Sequence, residues 1–337
     1  DLMEFITAPQ VKLVGTGGAG NNILNRLFNR RVKGVETIAL NTDANHLNQC
    51  KAHVRKVLGA KVTKGRGAGG DPYIGKRCAE DDEEDIRGKL SDGDIIFVIA
   101  GMGGGTGTGS APVIAKYAKE TDAVVVGVAI LPFREEGLSR RKVALEGLAE
   151  LKKNCDCVIE LDNEKLNELT DGDYPIQKAF SVMSDLVSGI VQSLSEVVTE
   201  PSMINVDFAD LKKIIEAGGT AKVLYGESDG SDPGSVLDSV LGNPLLGNNY
   251  KGAEAVLLHI AAGSEFAMSD CHEVLSALKY DLAEDANLIW GLRTDDSMST
   301  KVKVVMLVSA IPDSEHDLST DVDEELNSLG SSLPMIN

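Results

Sequence analysis

Residues 101–110 read GMGGGTGTGS, six glycines with Thr106 and Thr108 among them. DIIFVIAG (94–101) precedes them, an unbroken apolar run that reads as a strand buried on both faces. SAPVIAKYAKE (110–120) follows and reads as a helix, with Pro112 tolerated in its first turn. Strand, glycine loop and helix in that order set a nest of backbone N–H groups at a helix N-terminus, where the peptide dipoles favour an anion. A purely structural purpose for GGGTGTG is hard to defend, because glycine in bulk weakens a fold.

A second loop has the same setting. GTGGAG (15–20) lies between VKLVGTG (11–17), a short buried strand, and NNILNRLFNR (21–30), whose Ile23, Leu24, Leu27 and Phe28 share one helical face. Alone, this G-x-G-x-x-G fits a dinucleotide-binding turn or an innocent tight turn, with Asp43 as the candidate ribose acid. A dinucleotide enzyme, however, has no use for a second loop as rich as 101–110. A third, GRGAGGDP (65–72), opens the next helix, and the lysine-bearing G-x-x-x-x-G-K-[ST] motif is absent. Three glycine loops at the same strand ends point to a nucleoside triphosphate.

Around these loops, strands and helices alternate. VETIALNTD (35–43), AVVVGVAILP (123–132) and CDCVIELD (155–162) are further strands, and residues 73–90 are a helix whose run EDDEED (80–85) reads as a solvated face. The expected fold class is α/β: a Rossmann-like parallel sheet over residues 1–174 with ligands at the carboxyl strand ends. Residues 175–200 keep helical spacing between two prolines (Ile176, Phe180, Met183, Leu186, Val187, Ile190, Val191, Leu194), with Phe180 and Met183 most simply core residues. Such a connecting helix would be ~36 Å long. Residues 201–312 read as a smaller α+β unit with strands in 223–228, 255–263, 287–295 and 301–311 and a helix over 271–285. GESDGSDPGS (226–235) and NPLL (243–246) are loops and Trp290 a core aromatic. Residues 313–337 form an acidic tail, seven acids and no Lys or Arg after Ile311.

Composition narrows the function. With 33 basic and 52 acidic residues in 337, the formal net charge is −19, which argues against nucleic acid as a partner. The longest apolar run, AVVVGVAIL (123–131), falls far short of the ~20 residues that span a bilayer, so no membrane insertion is expected. The five cysteines make no metal pattern with histidine, and a cytoplasmic protein with reduced thiols is the expectation. Because the chain opens on Asp1 rather than Met, it reads as a piece of a longer protein.

The loops together with NTDA (41–44), LPFREEG (131–137) and NVDFAD (205–210) resemble the FtsZ family of prokaryotic tubulin-like cell-division GTPases, over about residues 11–311. An archaeal source fits the wording of these motifs. The resemblance implies GTP/GDP as the bound nucleotide. Gly17, Gly18, Ala19 and Asn21, with Gly101, Gly103, Gly104, Gly105, Thr106, Gly107, Thr108 and Gly109, would embrace its phosphates. Ala68, Gly69 and Gly70 would lie near the γ-phosphate, Asn41 and Pro132 would border the site, Glu136 would bond the ribose, and Arg140 would reach the phosphates. Asn163 and Phe180 would contact guanine. Where the family usually carries Asp or Asn, this chain has Ser184 with Asp185 next to it. A hydroxyl makes one bond to the base where a carboxylate makes a pair, so either Asp185 turns inward or Asn163 carries most of the base reading.

Asp207 and Asp210, taken alone, are a helix N-cap and a favourable first-turn acid, remote in sequence from every glycine loop. The resemblance adds another role: Asn205, Asp207 and Asp210 of one subunit would position water at the neighbour's nucleotide in head-to-tail filaments, and hydrolysis would need assembly. Mg²⁺ would assist, keeping its waters and taking ligands from phosphates rather than a protein cage. The expected setting is the division ring at mid-cell, with membrane adaptors or division proteins docking on the C-terminal tail, for which SSLPMIN is a faint candidate. A tubulin-like polymer for cell shape or plasmid segregation and a nicotinamide dinucleotide enzyme are the competing readings.

Overall fold

The computed structural model describes residues 9–165, 175–217, 222–228, 232–243, 250–280 and 282–309. The first sheet holds β1 (Val11–Thr16), β2 (Val35–Asn41), β3 (Val54–Val57), β4 (Ile95–Gly101), β5 (Val124–Leu131) and β6 (Cys157–Asp162). Its order is β3-β2-β1-β4-β5-β6, with every pair parallel. A parallel sheet needs cover on both faces, and β4 shows how the sequence supplies it. Ile95, Phe97 and Ile99 enter one core, Ile96, Val98 and Ala100 the other. The helices of this half are α1 (Gly17–Arg30), α2 (Ala44–Gln49), α3 (Ala60–Thr63), α4 (Pro72–Asp81), α5 (Glu83–Leu90), α6 (Gly105–Lys119) and α7 (Leu138–Lys152). Strand order reverses between β1 and β4, and a doubly wound sheet takes its ligand at that crevice.

The second sheet joins β7 (Lys222–Ser228), β8 (Ala255–Ala262), β9 (Asn287–Thr294) and β10 (Val302–Ser309) in the order β7-β10-β8-β9. Here β10 is antiparallel to both neighbours, while β8 and β9 run parallel. Helix α8 (Ile176–Thr199) lies between the sheets, and α9 (Phe208–Glu216), α10 (Pro233–Leu241) and α11 (Met268–Lys279) follow it. Met183, Val187, Ile190, Val191 and Leu194 of α8 belong to one core with Leu13 and Ile99 of the first sheet and Val223, Leu257 and Leu307 of the second. The α/β fold class expected from the alternation is therefore present, with a connecting helix whose apolar face serves both sheets. Ion pairs fix its outer side to α1: Arg26 to Asp185 at 2.5 Å and Arg30 to Asp185 at 3.5 Å.

Several expectations need correction. Both glycine stretches are largely helix: α1 starts at Gly17 and α6 at Gly105, so Pro112 sits inside α6 rather than in its first turn. The helix over 73–90 breaks at Asp82, whose carboxylate accepts from Gly59 N at 2.6 Å and pairs with Lys56 at 3.0 Å. The acidic run is thus partly engaged rather than only solvated; Asp85 also reaches Lys56, and Glu83 holds Arg87. β3 escaped the sequence because VRKV is short and carries Arg55 and Lys56 on a sheet edge. Asp232 caps α10 by accepting from Ser235 N at 2.9 Å, turning the end of the 226–235 loop into helix. The helix expected over 271–285 starts earlier and stops at Lys279, and Trp290 is only partly buried. The acidic tail and most of NPLL lie outside the described residues, as does the side chain of Ile176. None of the described helices is long and apolar enough to cross a membrane.

Two buried ionisable groups give this fold measurable sensitivities. Arg141 of α7 is buried and clamps Asp162 at the end of β6 with two bonds, 2.8 and 2.6 Å, while also donating to Pro132 O at 3.1 Å. Removing it strands a largely buried carboxylate, so Arg141→Ala should lower the unfolding free energy by about 3–5 kcal/mol in urea titrations. His259 of β8 is buried, and burial together with Arg293 pushes its imidazole down to about 4. Below the ordinary histidine value the unfolded chain takes up a proton that the folded chain refuses. Stability should therefore fall as pH drops from about 6.5 to about 4, by roughly 3 kcal/mol in all. That component of the slope should vanish in His259→Gln when urea midpoints are compared across this range.

Candidate functional site

At the β1/β4 crevice two helices begin without side-chain caps. Thr16 and Gly104 occupy the N-cap positions of α1 and α6 in extended conformation; the Thr16 hydroxyl accepts no bond from the first turn, and Gly104 has no side chain to offer one. The neighbouring α2 and α4, by contrast, carry side-chain caps: Asp43 accepts from Asn45 N and His46 N, and Asp71 from Tyr73 N. First-turn N–H groups have no intrahelical partner, so two uncapped N-termini side by side offer a cluster of donors to an anion. Their closeness depends on glycine. Gly17 has φ +72°, and a Cβ there would stand 2.9 Å from Gly107 N. Behind them, the Thr16 hydroxyl meets Ser110 Oγ at 2.6 Å and Ser110 donates to Thr106 O at 2.6 Å.

The crevice opens into a cavity of ≈ 230 Å³. Gly18, Ala19, Gly101, Gly104, Gly105, Thr106, Gly107, Pro132, Glu136, Arg140, Asn163 and Phe180 line it, a set drawn from four strand ends and the start of α8. Met102 and Ile130 line it as well and were missed. Both sit at strand ends, joined by Met102 N donating to Ile130 O at 2.8 Å, and the rule that such folds bind at carboxyl strand ends could have found them.

The remaining candidates lie around this lining. Asn21 and Asn41 are buried and spent on each other: Asn41 Nδ2 donates to Asn21 Oδ1 at 2.8 Å, and Asn21 Nδ2 donates to Gly15 O at 2.8 Å. They brace the ends of β1 and β2. Thr108 accepts from Gly103 N at 2.8 Å and, with Gly109, lines a different cavity between α4, α6 and α7. Ala68 is buried against Gly105, while Gly69 and Gly70 adopt positive φ with open space beside them. Ser184 donates to Phe180 O at 2.7 Å. Asp185 does not turn inward; Arg26 and Arg30 hold it against α1.

Three features of the cavity fit a nucleoside phosphate. Packing explains many glycines here, as at Gly107, where a Cβ would meet Gly101 O at 2.5 Å. It does not explain Gly18 and Gly104: nothing lies nearer than 3.9 Å at the first or within 4 Å at the second, so a side chain would stand in open space beside the cavity. Asn163 is buried, yet its Oδ1 has no hydrogen-bond partner. A buried acceptor left unpaired costs about 1–3 kcal/mol, which a donor on a bound base would recover. Phe180, far from being a core residue, is 42% exposed and packs edge-on against Phe133 at 5.3 Å, leaving ring surface for a base.

Acids are scarce in this cavity. Glu136 is the one acid lining it among the described residues, and both its oxygens are engaged, accepting from Phe133 N at 3.1 Å and pairing with Arg140 Nε at 3.1 Å. No group of three His, Cys, Asp or Glu suited to a metal ion occurs among the described residues. The 205–210 segment stands elsewhere, against the second sheet: Ile204 and Leu292 exchange two backbone bonds of 3.1 Å. Asn205 Oδ1 accepts from Ser202 N at 2.9 Å, and Asp210 lies 3.5 Å from Lys213. Asp207 holds the N-cap position of α9 but its carboxylate caps nothing and is exposed. The expected cap is absent.

Comparisons with known proteins place the sequence and the fold in a family. The family model described as Tubulin/FtsZ family, GTPase domain matches residues 10–171, and that described as FtsZ family, C-terminal domain matches residues 219–312. Cell division protein FtsZ 2 of Haloferax volcanii is 42% identical over 304 residues, 90% of this chain and 76% of the relative. Cell division protein FtsZ 2 of Methanocaldococcus jannaschii is also 42% identical, covering 90% and 80%. Among solved structures, an empty FtsZ dimer from M. jannaschii superimposes with a TM-score of 0.86 at 37% identity, covering 92% and 91%. CetZ2 from Haloferax volcanii, solved as a GTPγS-bound protofilament, shares the fold with a TM-score of 0.78 at 20% identity, covering 96% of this chain and 99% of that one. With both family models matched and relatives of this kind over nine-tenths of its length, the chain belongs to the FtsZ family of tubulin-like, guanine-nucleotide-binding GTPases, the cell-division proteins.

Proposed function

We infer that this chain binds GTP in the β1/β4 cavity, assembles head to tail with copies of itself, and hydrolyses GTP when a neighbouring copy closes the cavity with its 205–210 segment. One observation carries the in-trans part. A phosphoryl transfer to water needs a group that orients the nucleophile, and the cavity's own acid, Glu136, is already engaged twice. The nearby acids Asp43 and Asp71 are spent as helix caps. Asp207, by contrast, is exposed with its carboxylate uncommitted, at the second sheet. A cavity whose acid is already engaged and an acid lacking a task complement each other between subunits.

On this reading the N–H groups of α1 and α6 and the side chain of Arg140 carry the phosphate charge, while Thr106 and its partner Thr42, 2.5 Å away, hold the turn. Asn163 and Phe180 hold the base, with Asn163 doing most of the reading because Asp185 is engaged with α1. Asn205 shapes its loop through Ser202, and Asp207 and Asp210 orient water. Mg²⁺, when bound, would neutralise charge developing on the phosphates, with ligands drawn from them and from water. An FtsZ dimer and a CetZ2 protofilament among the similar structures support self-association. A heterologous contact that does not close builds a filament, the form suited to a division ring. Localisation at mid-cell and docking of adaptors on residues 313–337 belong to the same proposal. The dinucleotide reading loses its ribose acid, since Asp43 caps α2.

Hydrolysis per subunit should be negligible below a threshold protein concentration and rise together with light scattering above it; turnover linear in protein without scattering would overturn the reading. Asp207→Ala and Asp210→Ala should bind GTP normally and fail to turn it over, as measured by nucleotide titration and phosphate release. Loss of the Asn163 amide should weaken GTP by about tenfold and leave ATP binding unaltered, as titration of Asn163→Ala with each nucleotide would show.

A further inference from the structure

The segment that carries Asp207 and Asp210 rests on β9 at Gly291 and Leu292. In register, Gly291 faces His259 of β8. Its neighbour Leu292 exchanges two backbone bonds with Ile204, so residues 204–206 run along the outer edge of this last strand of the sheet. A methyl group placed on Gly291 would stand 2.8 Å from Val206 Cγ2, 3.0 Å from His259 Cδ2 and 3.0 Å from the carbonyl oxygen of Ile204. The glycine has no need of an unusual φ, since it is absent from the positive-φ set. The space of its missing side chain is taken instead by the Val206 side chain, the His259 ring and the Ile204 carbonyl.

We propose that Gly291 is a positioning residue for the hydrolysis reaction: by carrying no side chain it lets the 204–206 segment lie on β9, and so sets where Asp207 and Asp210 stand. This rests on the in-trans reading above. Two features direct any added volume into the segment rather than the sheet. The His259 ring beneath is buried at 2% exposure, with Nε2 3.5 Å from the Ser202 hydroxyl. Two residues along, Arg293 binds Glu196 of α8 at 2.9 Å and Asp295 at 3.2 Å, both Arg293 and Glu196 being largely buried, so β9 cannot retreat. What can give is the Ile204 carbonyl and the chain leading from it to Val206 and Asp207. Displacement there of even a few tenths of an ångström acts on the placement of the water-orienting acids, not on the cavity that binds nucleotide.

In Gly291→Ala, GTP affinity of the unassembled chain should stay within about twofold of the native value while turnover per subunit at saturating GTP falls by about tenfold, well inside the ~100-fold that a 1 Å misplacement costs. A mixing experiment locates the defect. Subunits carrying Gly104→Val have a filled cavity but an intact 205–210 segment. Added to Asp210→Ala subunits, they should restore turnover, because their segments serve the intact cavities; no restoration would defeat the in-trans reading itself. Added to Gly291→Ala subunits, they should restore turnover to the same extent. Native turnover by Gly291→Ala alone, or a defect left unrepaired where the Asp210→Ala pair is repaired, would overturn the role of Gly291. Should Gly291→Ala fail to fold, Gly291→Ala/Val206→Ala clears the tightest contact, keeps the one with Ile204, and carries the same comparison.

Discussion

Two helices that start without caps are the constraint from which the rest of this molecule follows. An N-terminal turn leaves N–H groups without partners, and proteins ordinarily satisfy them with Ser, Thr, Asp or Asn. Aspartates do so at α2, α4 and α10; α1 and α6 are among the helices without a side-chain cap, and they are the two that meet at the reversal of strand order. Leaving donors open in a partly enclosed place is tolerable only where an anion arrives to take them. The glycines then follow from geometry: some because backbones approach closely, while Gly18 and Gly104 keep open the space beside the cavity. Thr16 meets Ser110, Ser110 donates to the Thr106 carbonyl, and the Thr106 hydroxyl meets Thr42, a chain of bonds behind the loops that keeps the donors aimed.

Helix α8 links that chemistry to the opposite end of the molecule. Its first turns present Phe180 to the cavity, its middle is buried between the sheets, and its last turns deliver the chain to the 205–210 segment. Glu196, near that end, holds β9 through Arg293, and Asp185, near the start, holds α1 through Arg26. A change at the cavity mouth therefore has a continuous, tightly packed route towards the acids. The contacts of the helix at both ends are ionic and specific rather than greasy and adaptable.

Much of this was legible in the residues. The parallel sheet, the connecting helix and the four strands of the second sheet could be read because buried strands and amphipathic helices leave opposite periodicities. Glycine loops between strand and helix announced the cavity before any coordinates. What stayed hidden depended on partners distant in sequence. Nothing in EDDEED says that Asp82 will leave its helix for Gly59 and Lys56, and nothing in VRKV distinguishes an edge strand from a loop. Phe180 passed for a core residue because its neighbours at helical spacing are core residues; exposure at the end of a helix is a tertiary property. Asn21 and Asn41 lie in signature motifs, yet their side chains bond each other and the backbone beneath the loops. A motif marks where a residue is needed without distinguishing contact with ligand from support for those that contact it.

The separation of cavity and acids by the length of α8 has an arithmetic consequence. If each complete site takes its recess from one subunit and its acids from the next, every filament holds one fewer working site than it has subunits, and the missing one is always at the same end. The terminal recess would then face solvent, its nucleotide spared cleavage and free to exchange, while those inside would age with the time since their neighbour arrived. The two tips would differ chemically although every subunit is identical. Direction and age would thus come from where a single helix begins and ends.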